Sequence, residues 1–484
     1  MNNWDINERN LSRVYDYCIR RGIQLDASFH NDSISYINLC LMQIKHQRVL
    51  SEEQFVYFVN RIKKIESFTI SDQTKTELGL LSTSLEDKSQ EALCYDLKSN
   101  VRRLKALLMH SKNDLLSDIF TKHCLEIEKK LHKWNLTSFV HLGSGKTVYS
   151  IGDGLDYLVC RILQENIKAK YDIRIGNRIC IIKQLKCLLE DALPKAIVRT
   201  DIRSFFETIN TIELIKEMDK DGRIQKSQID LLSSLIDSYN EVSGNAIGVP
   251  RGVGISSYLA ELYMQEIDEE IKKQPSVVYY ARFVDDIVVI TSEKEGRIDN
   301  ASLLFAFLKK KLREKGLRTH SSGSKFKICS NNSINFSYLG YSFTQINNKL
   351  VVDISKEKVK KLKEKIKLAF VSFYNKEYDS ICSSYRKKLL DLKERLECIS
   401  RAVHVRGMHK RVEIGTPITY SEITRIDSLE ILDRYLKSLI RQSNNNDLSN
   451  MLAKIKFTDG FMTPEVKDIS SQKYKNLSKI WVHL

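Results

Sequence analysis

Apolar residues recur at spacings of three and four through the first 135 residues, and this period predicts a helical layer. Leu93, Leu97, Val101, Leu104 and Leu108 form one stripe, which Leu115, Leu116, Ile119 and Phe120 extend toward Leu125, Ile127 and Leu131. Leu50-Ser51-Glu52-Glu53-Gln54 predicts a helix start, with Ser51 as N-cap and Gln54 closing a capping box. From Tyr157 to Pro194 the pattern suits helices with a short extended piece around Arg174–Ile182. Ile229–Tyr239 predicts another helix, and Ser243-Gly244-Asn245 a turn after it. Asn300–Gly316 reads as an amphipathic helix ended by Gly316, Ile426–Leu439 as a second, and Ser443–Asp447 as a loop.

The period changes in Tyr279-Tyr280-Ala281-Arg282-Phe283-Val284-Asp285-Asp286-Ile287-Val288-Val289-Ile290. β-branched and aromatic residues flank two adjacent carboxylates, which predicts a hairpin with Asp285 and Asp286 in or beside its turn. Acidic turns are common, but they usually sit among Gly, Asn and Ser, whereas apolar residues press on this pair from both sides. A bound divalent cation would offset the desolvation of two neighbouring anions. A partner stands in Ala196-Ile197-Val198-Arg199-Thr200-Asp201-Ile202, where Asp201 ends a β-branched run before Phe205 and Phe206 turn the chain toward a helix. Three carboxylates suit a site for two Mg²⁺ ions, which sit about 3.5–4 Å apart in enzymes of in-line phosphoryl displacement.

Charge narrows the partner. The 484-residue chain has a net charge of +16, and residues 1–140 contribute only +2 of it, so the excess lies with the acidic motifs and beyond. Such a balance points to a polyanion. Residues 355–411 hold 17 Lys and Arg against 7 Asp and Glu at helical period, with Lys356, Lys360, Lys363 and Lys367 on one face. A composition of 42% hydrophobic and 29% charged residues is ordinary for a soluble globular protein of two or three domains. The ten cysteines form no Cys-x-x-Cys pair or zinc-type cluster, and they read as small buried hydrophobes in a reducing compartment. No signal peptide and no membrane-length apolar run is read, so a cytoplasmic location without membrane contact is expected.

Four motifs in order resemble the palm motifs of reverse transcriptases: Asp201 with Phe205-Phe206, Gly248-Val249-Pro250-Arg251-Gly252, Phe283-Val284-Asp285-Asp286, and Phe336-Ser337-Tyr338-Leu339-Gly340-Tyr341. The resemblance covers about residues 140–345. It implies an α+β right-hand polymerase of fingers, palm and thumb, with mostly helical extensions at both ends. The expected division is a helical N-terminal domain over 1–139, fingers and palm over 140–345, and a helical thumb and C-terminal region over 346–484.

The same resemblance assigns roles. Asp201, Asp285 and Asp286 match the metal ligands, with the Ile202 carbonyl near the same two Mg²⁺ ions. Phe206 matches the aromatic gate that crowds a ribose 2′-hydroxyl, and Leu339-Gly340-Tyr341 matches the grip on the primer end. Pro250-Arg251-Gly252 stands where the family usually has Pro-Gln-Gly beside the incoming dNTP. Arg178, Lys183 and Arg199 are candidates for the triphosphate, because guanidinium and ammonium groups bind phosphate oxygens. A solvated face is the competing account of each. Arg199 is the preferred choice, since it lies two residues before Asp201 on the same side of its strand. Lys325 or Lys327 would sit near the β- and γ-phosphates. Gly248, Gly252 and Gly254 would let the backbone approach a base pair, with a plain loop as the equal alternative, and Ile255–Ile267 would be a helix with Tyr258, Leu262 and Ile267 facing the core.

Few prolines, no maturase or endonuclease segment and unmatched helical flanks resemble the bacterial reverse transcriptases of anti-phage defence and abortive infection, with retron enzymes as the alternative. The expected activity is RNA-directed DNA synthesis, with an RNA template, a DNA product and dNTPs as partners. A dedicated non-coding RNA or a partner defence protein could join them, and homo-oligomerisation stays open. A non-catalytic RNA-binding scaffold built on a palm is the reading from another class. Two further patterns are weaker. Arg103 and His110 have the spacing of an Arg-x(4–6)-His ribonuclease pattern, against a plain reading as surface residues of one helix. Leu142-Gly143-Ser144-Gly145-Lys146-Thr147 lacks the upstream Gly of a phosphate loop, with Val140 in its place, and reads as a basic turn.

Overall fold

A computed structural model describes residues 6–20, 25, 32–44, 90–129, 132–141, 145–294, 297–347, 349–374, 385–406 and 411–481. The expected capping box at residues 50–54 lies outside the described residues, as do Leu131 and residues 142–144 of the basic turn.

The chain opens with helices α1 (Glu8–Arg20), α2 (Asp32–Ile44) and α3 (Gln90–Glu128), then strands β1 (Leu136–His141) and β2 (Lys146–Ile151). Helices α4 (Gly154–Lys170) and α5 (Arg178–Glu190) lead to β3 (Lys195–Asp201), and α6 (Thr211–Asp221), α7 (Lys226–Ser243) and α8 (Gly254–Lys272) follow. Next come β4 (Val277–Phe283), β5 (Asp286–Ser292), α9 (Asp299–Glu314), β6 (Lys327–Ser330), β7 (Asn335–Tyr338), β8 (Tyr341–Ile346) and β9 (Lys349–Ile354). The last part holds α10 (Lys356–Tyr374), α11 (Tyr385–Ser400), β10 (Val403–Arg406), β11 (Arg411–Ile414), α12 (Asp427–Gln442) and β12 (Lys467–Ser470).

Two compact units result, one of Met1–Thr137, Ser150–Ile167 and Asp221–Ser238, the other of Ser138–Tyr149, Lys168–Lys220 and Tyr239–Leu484. In the first, α1 and α2 pack on α3. Leu11, Val14, Tyr15 and Cys18 recur at the helical period and are buried, as are Leu108, Leu115, Leu116 and Phe120 of α3. The Tyr15 and Phe120 rings meet edge-on at 6.0 Å. The expected stripe ends sooner than its spacing suggests, because Leu125 is 46% exposed.

The second unit is built on the antiparallel sheet β4-β5-β3-β6. Central β3 is buried along its whole length, as its Ala-Ile-Val run requires of a strand covered on both faces. One face carries Ile197, Val288 and Ile290, which join Ile181, Ile182, Leu185 and Leu189 of α5 in a large apolar cluster. On the other side, α8 packs against β4, and α9 against β3 and β5. Leu259, Tyr263, Met264 and Ile267 of α8 are buried, whereas Tyr258 and Leu262 are only half-buried, so the core-facing stripe is turned from the expected one.

Two more expectations change. The extended piece expected around Arg174–Ile182 becomes helix from Arg178 onward, because the Asn177 side chain accepts from Ile179 N and Cys180 N and caps α5. The region after residue 346 is not purely helical. β7, β8 and β9 make an antiparallel sheet, and β10 pairs antiparallel with β11 and parallel with β12. The pairing of residues 403–406 with 467–470 joins segments far apart in sequence, which no local period announces. Cys180 and Cys187 are exposed rather than buried. No helix among the described residues is long and apolar enough to cross a membrane.

Candidate active site

The β3 and β5 ladder ends in the pair Asp201↔Asp286, and β4 pairs with β5 up to Phe283↔Asp286. Val284 and Asp285 therefore form the two-residue loop of the hairpin. Such loops need a left-handed backbone, and Val284 supplies it at φ 61°, a strained choice for a β-branched side chain. The surroundings hold the strain. Arg282 Nη1 donates to the Val284 carbonyl at 2.9 Å, and Ile202 N donates to the Asp285 carbonyl at 2.9 Å. Arg282 itself is anchored, with Nη2 2.6 Å from both Glu261 Oε2 and Asp268 Oδ2.

Asp201, Asp285 and Asp286 line one cavity of about 640 Å³. Burial raises the pKa of Asp285, and the neighbouring Asp201 carboxylate adds to it. Burial likewise pushes Asp286 up to about 6, against the pull of Arg199. Cations answer the crowded charge. Arg199 Nη2 lies 2.7 Å from Asp286 Oδ1, and Lys325 Nζ lies 2.7 Å from Asp201 Oδ1. His320 Nε2 is 3.5 Å from the same Asp201 oxygen. The converging donors are carboxylate oxygens, a set that fits a hard cation such as Mg²⁺ better than a thiophilic one.

Arg199 thus lies on the face predicted, but it reaches diagonally across the ladder to Asp286 and donates to Ser324 O at 3.0 Å. The triphosphate candidate is already committed to an aspartate and a carbonyl. Arg178 is committed too. Its Nε and Nη2 donate to Leu339 O at 2.9 and 2.7 Å, and its Nη1 donates to Thr419 O at 2.9 Å. It fixes the backbone of Leu339 and Gly340, which turn with φ 47° and 84°. Both residues line the cavity, whereas Tyr341 is fully buried and donates its hydroxyl to Thr419 O at 3.0 Å.

Phe206 and Arg251 form another part of the wall. The Arg251 guanidinium stands 4.9 Å from the centre of the Phe206 ring and is held by Glu207 through contacts of 2.9–3.1 Å. Gly252 is packed against the backbone of another segment. A Cβ there would stand 2.6 Å from Tyr149 O, because β2 packs against this turn through Tyr149 N donating to Arg251 O at 2.7 Å. Gly248 is similarly packed against the backbone of Phe206 and Glu207. At both glycines a side chain would meet the backbone of a neighbouring segment.

Ile202, Lys183, Pro250, Gly252, Lys327 and Tyr341 are outside the cavity lining. Lys183 is exposed on α5, and Lys327 is exposed at the start of β6. Of the two lysine candidates, Lys325 is the one on the aspartates. Lys358 lines the cavity as well, although the predicted basic face of α10 comprises Lys356, Lys360, Lys363 and Lys367. Burial lowers its pKa, with Lys361 and Arg178 adding to the effect. A basic run marks the helix but does not single out the lysine that borders the cavity. His320 and Glu207 belong to no predicted motif, and nothing in their spacing singles them out.

No curated protein matches the chain. Among solved structures, it is similar to telomerase from Candida albicans in complex with a TWJ fragment of telomeric RNA, at 10% identity over 92% of each chain with a TM-score of 0.34. It is also similar to apo telomerase from Candida tropicalis, at 12% identity over 92% of this chain and 90% of that one, TM-score 0.34. Those superpositions are too loose to transfer a residue or a role. The segment that holds the three aspartates, residues 156–343, matches the family model described as reverse transcriptase (RNA-dependent DNA polymerase).

Proposed function

We propose that this protein is an active RNA-directed DNA polymerase that uses Asp201, Asp285 and Asp286 to hold two Mg²⁺ ions. The observation that carries the proposal is the meeting of Asp201 with the adjacent Asp285 and Asp286, more than eighty residues away in sequence, at one end of one sheet. Magnesium there would supply charge stabilisation at the reacting phosphoryl group. The protein's own part is positioning. Arg282 and Ile202 keep the hairpin turn rigid, and Lys325 stands where it can meet a polyphosphate. Phe206, backed by Arg251, would exclude a 2′-hydroxyl, and the Leu339–Gly340 turn, held by Arg178, would support a primer end. The basic α10 would follow a duplex backbone, with affinity that falls as salt rises.

The test is DNA synthesis by purified protein from an RNA template with dNTPs and Mg²⁺. Asp285→Asn removes one ligand charge and should lower the rate by at least about 100-fold, since a metal clamp is worth several kcal/mol. Equal synthesis by wild type and variant would refute the assignment. We further propose a role in bacterial antiviral defence, on the resemblance of the motifs and of the helical flanks. Phage plating on cells with the wild-type protein or the Asp285→Asn variant tests it, and protection by the variant would favour a scaffold instead.

A further inference from the structure

A second cluster of ligating side chains lies far along the sequence from the aspartates, within the helical unit. His123 on α3, His132 in the segment after it and Asp156 on α4 each offer one donor atom, all within 4.8 Å of one another. Their side chains are 7%, 4% and 4% exposed. Nε2 of His123 and Nε2 of His132 are buried without a hydrogen-bond partner. Such groups are costly unless something accepts their lone pairs or protons. His132 Nε2 lies 3.3 Å from Asp156 Oδ1. A tetrahedral ion with bonds of about 2.0–2.1 Å to nitrogen and oxygen has an edge of about 3.3 Å between its ligands.

The next layer of contacts orients these groups. Asp156 Oδ2 accepts from Asn135 N at 2.8 Å, which leaves Oδ1 on the His132 side. Nδ1 of His123 faces Glu126 Oε2 at 3.6 Å, so its unpartnered Nε2 is the nitrogen left for another ligand. Carboxylates behind ligating histidines have this role in metal sites. His132 packs edge-on against Trp134 at 4.9 Å, and the Trp134 indole donates to Leu231 O at 3.2 Å, which holds the segment in place. His132 also lines a cavity of about 470 Å³ with Ser227 and Asp230, from which water can supply a fourth ligand.

We propose that His123, His132 and Asp156 form a metal centre for a borderline divalent transition ion of the zinc class, which ties α3, the following segment and α4 together. Two imidazoles with one carboxylate suit such an ion, in contrast to the oxygen donors of the palm.

The experiment is Co²⁺ titration of chelator-stripped full-length protein, followed by visible absorption and elemental analysis. With excess Mg²⁺ present to occupy the palm carboxylates, the expected result is one Co²⁺ per chain with the intense bands of four-coordinate cobalt, displaced by Zn²⁺, and without a thiolate charge-transfer band. His132→Gln and Asp156→Asn should each weaken binding by at least about 100-fold. Asp285→Asn should leave the spectrum unchanged. Failure of the wild-type protein to take up Co²⁺ in a four-coordinate site would overturn the proposal whether or not the variants fold. A thiolate band, or loss of the spectrum in Asp285→Asn, would place the ion elsewhere and overturn it as well.

Discussion

Asp201 and Asp286 are direct cross-strand partners at the end of the β3 and β5 ladder. Like charges placed opposite each other on neighbouring strands repel, and the structure answers with one cation for each carboxylate. Lys325 serves Asp201 and Arg199 serves Asp286. The third acid, Asp285, sits in a turn whose carbonyl is tied to the residue after Asp201. The spacing of the three acids is therefore a property of strand register.

Arg282 lies beneath that turn with its side chain 3% exposed, between Glu261 and Asp268. Burial opposes its charge, yet the hydrogen bonds it donates to Asp268 and the charges of Asp268 and Glu261 raise its pKa overall. Arg282→Met would leave two buried carboxylates without their cation. It should cost about 3–5 kcal/mol, read as a lower urea midpoint. A midpoint within error of wild type would show that the two acids find another partner.

Val284 holds a left-handed conformation at φ 61°. Val284→Gly removes the steric penalty of Cβ in that conformation, so it should raise stability by about 1 kcal/mol in denaturant unfolding. The freed turn should also hold Asp285 less firmly, so DNA synthesis should slow. A variant that is both less stable and fully active would contradict this account of the strain.

Gly252, at φ 101°, lies against β2. Gly252→Ala would drive Cβ to 2.6 Å from Tyr149 O and 2.5 Å from Val148 Cγ1. Destabilisation of about 1–3 kcal/mol is expected, together with weaker dNTP use, because Arg251 moves with its neighbour. Thermal unfolding and the KM for dNTP check the two effects separately.

Phe206 is the residue to trim for sugar selectivity. Phe206→Ala opens the wall that Arg251 now backs, and the ratio of ribonucleotide to deoxyribonucleotide incorporation should rise by at least about tenfold, or ~1.4 kcal/mol of lost discrimination. An unchanged ratio would move the gate to another residue.

Much of the site was legible in the chain itself. Two anions inside an apolar hairpin, and a third at the end of a β-branched strand, are locally so costly that their chemistry shows in composition and order alone. Period and capping likewise predict α7, α9 and α12, because helix faces and ends are written within a few residues of each other. What the tertiary structure decided were the partners. Arg199 pairs with Asp286 and Arg178 with Leu339 O, Gly252 lies against β2, and Lys358 reaches the cavity when Lys356, Lys360, Lys363 and Lys367 do not. The same holds for the parallel pairing of β10 with β12 and for the meeting of His123, His132 and Asp156. Each of these depends on register and packing between segments tens to hundreds of residues apart. Local preference says which conformation a segment takes, and only the closed fold says which side chain it then meets.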